Sequence, residues 1–252
     1  MSTVEIDGAA VDYEEQPGRE PALVFLHEGL GSIELWRSFP ADVRHVIGDR
    51  RTLVYSRPGY GRSTPVPPPW PVSYMHTEAL VVLPALLGHL GIERPVLVGH
   101  SDGASIALIH AGAGYPVAGL VVLAPHVFVE HRSIAGIEAA RQAYQSGPLR
   151  PRLARYHDAV DSTFWGWNGV WLSPAFRAWN IEGYLPGIDA PVLALQGGGD
   201  EYGTVAQLDA IAAGTSGPVE RVVLAGQGHV LHTGGGNGVV ERVASFVSRL
   251  AS

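Results

Sequence analysis

The stretch LVGHSDGASIAL, residues 97–108, decides the fold. An apolar run climbs to Gly99, a serine stands between His100 and Asp102, Gly103 follows, and a small-residue pattern of helical period begins. Gly99-His100-Ser101-Asp102-Gly103 therefore fits G-x-S-x-G where strand gives way to helix. A turn that tight strains the backbone of the serine. Side chains at the two flanking positions would clash, so glycine serves there. The turn lifts the Ser101 hydroxyl out of the sheet and leaves the Asp102 N–H pointing at the same space. Five letters mean little alone; the strand before them and the helix after them give them weight.

Working outward, residues 21–27 (PALVFLH), 52–58 (TLVYSRP), 95–101, 119–125 (GLVVLAP), 191–197 (PVLALQG) and 219–226 (VERVVLAG) read as strands buried on both faces. Residues 4–16 alternate around Asp7-Gly8, a hairpin signal. Helical periodicity falls between most of the strands, at 74–90, 102–113, 204–213 and 239–250. Strands alternating with helices imply an α/β protein with a parallel sheet covered on both faces. One gap breaks the rhythm. About 65 residues after Pro125 lack a strong strand run, too many for one loop, and hold four of the six tryptophans. They read as a helical lid, residues 126–187, over one edge of a core made of 1–125 and 188–252. Trp165, Trp167 and Trp171 are candidate walls of a substrate pocket, with a small satellite core as the alternative for each.

Composition removes several chemistries. The 252 residues include no cysteine and no lysine; all 17 basic residues are arginine. Disulfides, thiolate zinc sites, cysteine nucleophiles, Schiff bases and a P-loop lysine are thus excluded. The net charge of −7 and scattered arginines argue against nucleic-acid or anionic-membrane partners. The start lacks a signal-peptide pattern and no apolar run reaches membrane-span length, so a cytoplasmic protein, monomer or homodimer, is expected. The Pro58–Gly61 segment PGYG reads as a turn, since it is too short for G-x-G-x-x-G.

A serine hydroxyl needs a base. His229, after the last expected strand and a glycine-rich bend, is the candidate; His232, three residues on, reads as a surface or supporting histidine. The two could form a His-x-x-His metal pair, but no further ligand cluster accompanies them in sequence, and no metal is expected. Asp200, 99 residues after Ser101 and 29 before His229, can orient the imidazole, with Glu201 as runner-up. The oxyanion donors are the N–H groups of Asp102 and of Gly29 in FLHEGLGS, residues 25–32, with Leu30 next; His27 reads as a loop support.

LHEGLGS, YSRPGYGRS, VGHSDG, LQGGGDEYG and GQGHVLH, in that order, resemble the α/β-hydrolase superfamily over nearly the whole chain, and its small lid-bearing esterases, C–C hydrolases and proline iminopeptidase-like members in particular. The resemblance implies an eight-stranded, mostly parallel sheet with the lid after the sixth strand. It implies Ser101 as nucleophile, Asp200 as acid and His229 as base, and hydrolysis of a small to medium, largely hydrophobic ester, lactone or thioester without a cofactor. The same triad can serve C–C cleavage, lyase or cyclisation chemistry, and a fold of this kind can bind ligand without turnover. Two positions depart from the pattern. Ser56 stands where relatives often have Asp, a structural position. Glu28 places a carboxylate beside the oxyanion loop; it is expected to point away or to accept backbone hydrogen bonds.

Overall fold

The computed structural model describes residues 2–233, 236 and 238–250. The expected strands form one eight-stranded sheet, β1 (Ser2–Ile6), β2 (Ala9–Gln16), β3 (Arg19–Leu26), β4 (Arg50–Tyr55), β5 (Val96–His100), β6 (Gly119–Leu123), β7 (Val192–Gly197) and β8 (Val219–Leu224), in the order β1-β2-β4-β3-β5-β6-β7-β8. β1 and β2 form the hairpin at Asp7-Gly8, and β2 joins β4 antiparallel. From β4 to β8 every pairing is parallel. The apolar runs are continuous because alternate residues enter two different cores. Leu23, Phe25, Val96, Val98, Val121, Leu123, Leu193 and Leu195 face one side; Val24, Leu26, Leu97, Leu120, Val122 and Val192 face the other.

The first side is covered by α1 (Phe39–Ile47) and α9 (Val239–Arg249). α1 has no counterpart in the sequence reading. It runs only nine residues and buries Phe39, Pro40 and Val43, a stripe shorter than the length at which helical period is told from a loop. The second side carries α2 (Tyr74–Thr77), α3 (Leu83–Leu90), α4 (Asp102–Gly112) and α8 (Ala206–Gly214). β8 also differs from expectation. Among the described residues it pairs only with β7, and Glu220, Arg221 and Val223 face solvent, so it is an edge strand and not a strand buried on both faces. Charge along such an edge deters pairing with another chain.

Between β6 and β7 the chain is helical: α5 (His131–Ser146), α6 (Leu149–Leu153), α7 (Val160–Trp171) and two 3₁₀ turns, Pro174–Ala178 and Glu182–Gly187. Much of its aromatic content packs on itself. Tyr144 stacks on Phe164 at 3.6 Å, and Phe176 packs between Trp171 and Trp179.

α2 and α3 are joined by a π-helical segment, Glu78–Val82. Pro84 has no N–H to give to the carbonyl four residues back, and the freed groups find side chains. The Leu80 carbonyl accepts from the Tyr115 hydroxyl at 3.2 Å, and that of Ala79 from His110 Nδ1 at 2.8 Å. Glu78 sits in this segment, buried, accepting the Tyr55 hydroxyl at 2.7 Å. Burial pushes its carboxyl up to about 7, against the pull of the Arg57 charge and the Tyr55 hydrogen bond. The folded state therefore holds this proton more tightly than the unfolded chain. That contribution is complete below pH 4.5 and is lost as pH rises to about 7. Glu78→Gln keeps the acceptor and cannot ionise. It should match wild type at pH 4 and exceed it by roughly 2–3 kcal/mol at pH 8 in urea denaturation. An equal difference at both values would contradict this reading.

Candidate active site

The parallel strands deliver their carboxyl ends to one edge of the sheet, where open α/β sheets bind ligands. Ser101, between β5 and α4, has φ 52° and ψ −117°, a conformation rare for any residue but glycine. Its neighbours explain why it stays there. A Cβ on Gly103 would run into the carbonyl oxygen of Leu26 on β3, and one on Gly99 would meet the backbone of Gly103 and lie 2.6 Å from the Ala104 Cα. The Ser101 N–H donates to the Leu123 carbonyl at 2.9 Å, which ties the turn to β6. Strain of this kind persists only where the surroundings over-determine it.

Asp200 and Glu201 follow β7; His229 follows β8. Asp200 is fully buried, and its carboxylate receives His229 Nδ1 at 2.8 Å and the Tyr202 N–H at 2.7 Å. Burial pushes the Asp200 carboxyl up, but the hydrogen bond and charge of His229, the Tyr202 N–H and the His126 ring outweigh it and hold it below the usual carboxylate range. Glu201 instead accepts the backbone N–H of His229 at 3.2 Å. Asp200 is thus the acid at the imidazole, and Nδ1 is committed to it, leaving Nε2 for other use. Ser101 and His229 line one cavity of about 170 Å³. Among the described residues no hydrogen bond joins Ser101 Oγ to His229, a contact that commonly tightens only when substrate closes the site.

The loop after β3 brings Gly29 to the same cavity. His27 Nδ1–H donates to the Glu28 carbonyl at 2.7 Å, Arg57 donates to it at 2.9 Å, and the Gly31 N–H at 3.0 Å. Since C=O and N–H point oppositely across a trans peptide, three donors on the Glu28 oxygen turn the Gly29 N–H the other way. His27 is the expected loop support: fully buried, it also accepts the Arg57 N–H at 3.1 Å. The Asp102 N–H lies at the start of α4, where helical N–H groups are unsatisfied.

Glu28 departs from expectation. Its carboxylate meets the His100 ring, Oε2 to Nδ1 3.3 Å, rather than backbone N–H groups, because β3 and β5 are parallel neighbours and the two segments leave the sheet side by side. Burial pushes the Glu28 carboxyl up, yet the hydrogen bond to His100 and the neighbouring rings of His232 and His27 hold it well below the usual range. His100 also donates from Nε2 to the His229 carbonyl at 3.1 Å. Glu28 and His100 thus tie together the loops that carry Gly29, Ser101 and His229.

Of the remaining expected residues, Leu30, Trp167 and Trp171 line the cavity. Trp165 does not. It packs against Phe164 and Tyr144, because Trp167 and Trp171, four residues apart, share the face of α7 turned to the site, and Trp165, two residues from Trp167, lies on the other. His232 lies outside the lining, buried beside Trp36 and His100 at ring distances of 4.7 and 4.8 Å. His126 and Tyr202 also line the cavity, and burial pushes His126 down to about 3, so it is neutral. The signal for His126 was its place just past a buried strand. Tyr74 had none: its hydroxyl donates to Asp102 Oδ2 at 2.6 Å and accepts the Trp171 indole N–H at 3.0 Å, contacts made only by folding. A larger surface groove of about 560 Å³, beside α1 and the β2–β4 pair, holds none of these groups.

A serine in a strained strand-to-helix turn, facing a histidine oriented by an acid from the preceding strand loop, defines an α/β-hydrolase arrangement. Residues 23–241 match the alpha/beta hydrolase family, and the chain belongs to it. No curated protein matches the sequence significantly. Solved structures are similar at low identity. A proline iminopeptidase from Mycobacterium smegmatis shares 20% identity, with TM-score 0.76 over 98% of this chain and 97% of that one. The enol-lactonase from Burkholderia xenovorans LB400 shares 19%, with TM-score 0.70 over 97% and 96%. A thermophilic esterase from Thermogutta terrifontis shares 20%, with TM-score 0.66 over 98% and 97%. At such identities the likeness is one of fold.

A Cβ on Gly29 would lie 2.6 Å from Trp167 Cδ1, inside the indole. Gly29→Ala should therefore cost roughly 1–3 kcal/mol in urea denaturation, as overpacking does. In a Trp167→Ala background most of that cost should vanish. A cost that survives there would place its origin in the backbone of the loop.

Proposed function

We propose that the protein is a serine hydrolase that transfers the acyl group of a small, largely apolar ester, lactone or thioester to water. The observation that carries this reading is the shared cavity: strained Ser101 on one wall, and on another His229 with Nδ1 2.8 Å from buried Asp200. His229 Nε2 takes the Ser101 proton as Oγ attacks the carbonyl. The N–H groups of Gly29 and Asp102 hold the oxyanion, and His229, steadied by Asp200, protonates the leaving group. Water then repeats the sequence on the acyl-enzyme.

The lining supports the substrate class. Among the described residues it contains no arginine, while Glu28, Asp102 and Glu201 contribute carboxylates, so an anionic substrate is disfavoured. Ile137, Trp167, Trp171 and Val230 offer apolar surface for an acyl chain. The reading of residues 126–187 as a cap is supported by Trp167 and Trp171, which line the cavity from that segment. No described helix is long and apolar enough to cross a membrane.

The test is hydrolysis of p-nitrophenyl acetate and butyrate, with fluorophosphonate labelling read by intact mass. Wild type should turn over and gain one label. Ser101→Ala should lose both, and Asp200→Asn should lower kcat by about 10³–10⁴. A folded wild type that neither labels nor turns over would remove acyl transfer in favour of lyase, cyclase or binding chemistry.

A further inference from the structure

The His-x-x-His pair in the sequence divides its work. His229 turns to Asp200; His232 turns to His100 and Glu28. One ligand atom from each of Glu28, His100 and His232 lies within 4.8 Å of the other two. Three further features of this cluster are poorly explained as hydrogen bonding alone.

The Glu28–His100 contact is 3.3 Å, long for a charge-assisted bond, which is usually about 2.7–2.9 Å. Two ligands held at about 2.0–2.1 Å on a tetrahedral ion stand roughly 3.3–3.4 Å apart, the separation seen. Next, each histidine donates its other ring nitrogen to a backbone carbonyl. His100 Nε2–H reaches the His229 oxygen at 3.1 Å, and His232 Nε2–H the Leu35 oxygen at 3.4 Å. Metal-ligating histidines are fixed in this way. Last, His232 Nδ1 is buried with no hydrogen-bond partner among the described residues, on a side chain only 8% exposed. A buried lone pair left bare is costly.

We propose that Glu28, His100 and His232 form a binding site for a divalent transition-metal ion of the zinc type. Two imidazole nitrogens and one carboxylate oxygen are a donor set that suits zinc or cobalt(II), with a fourth position for water. Contraction of the widest separation by about 1.5 Å brings the three atoms to tetrahedral spacing. Ligation takes both imidazoles as neutral donors and Glu28 as the carboxylate. The ion ties together the loop after β3, the Ser101 turn and the loop after β8, and its charge offsets the Glu28 carboxylate beside Gly29. No step of acyl transfer runs through it, so binding is measurable in Ser101→Ala whatever the enzyme's reaction.

The full chain, treated with chelator and freed of it, is titrated with Co²⁺ and followed by visible absorption, then with Zn²⁺ by calorimetry and by Tm. Expected are the intense visible bands of four-coordinate cobalt at one ion per chain, and a Tm raised by zinc. Loss of even a hydrogen-bond partner to a metal ligand costs roughly 10–100-fold in affinity, so His232→Ala should weaken binding by about 100-fold or more. Glu28→Gln, at a partly exposed side chain, gives the same test where His232→Ala does not fold. His89→Ala, at an exposed histidine, should bind as wild type does. Absence of cobalt bands in wild type, or binding unchanged in either ligand variant, overturns the site and leaves a carboxylate–imidazole network.

Discussion

The structure depends on how closely the first turn of α4 is pressed against β3 and β5. Gly103 leaves no room between the helix and the Leu26 carbonyl, and Gly99 leaves none between strand and helix. With the helix start held there, the one residue between strand and helix must take φ 52°, and that residue is Ser101. Its hydroxyl then stands clear of the sheet, and the positive end of a helix dipole lies beside it. Everything else in the site is a matter of loops arriving at the same edge. Parallel strands guarantee this, since each ends on the same side.

Charge is arranged in the site so that few buried groups stand alone. Arg57, nearly fully buried, gives a hydrogen bond to the Glu28 carbonyl, packs over Tyr60 at 4.3 Å and approaches Asp102 at 4.0 Å. Asp200 holds His229, and Glu28 meets His100. A buried pair contributes little net stability against an apolar alternative, but loss of one partner is costly. Such pairs fix loop positions more than they add to stability. That is the role the geometry shows for Glu28 and His100, which bridge the three loops that bring Gly29, Ser101 and His229 together.

The aromatic segment between β6 and β7 serves two ends. Trp167 and Trp171 look into the cavity, and Trp167 rests so closely on Gly29 that the glycine cannot be replaced without moving it. Trp165 and Trp179 pack among Phe164, Tyr144 and Phe176, a core for the segment itself. Gly166 lets α7 approach Trp70, whose indole occupies the place of a Cβ.

Much of this was legible in the sequence. Apolar runs marked the strands because both faces of the sheet are covered, and the glycines around Ser101 marked the turn because only a missing Cβ allows it. The order Ser101, Asp200, His229 was readable because each follows a strand whose end must lie at one edge. What periodicity could not show was decided by tertiary contact. α1 buries too short a stripe to be seen, β8 is an edge only because nothing among the described residues pairs beyond it, and Glu28 finds His100 only because β3 and β5 are neighbours. Trp165 and Trp167 are two residues apart in one helix, so the sequence by itself determined that aromatic side chains would fill this segment. Which of them faces the cavity depends on how α7 is rotated against Gly29 and Trp70, a choice made by packing across the chain and not by any local property of the residues.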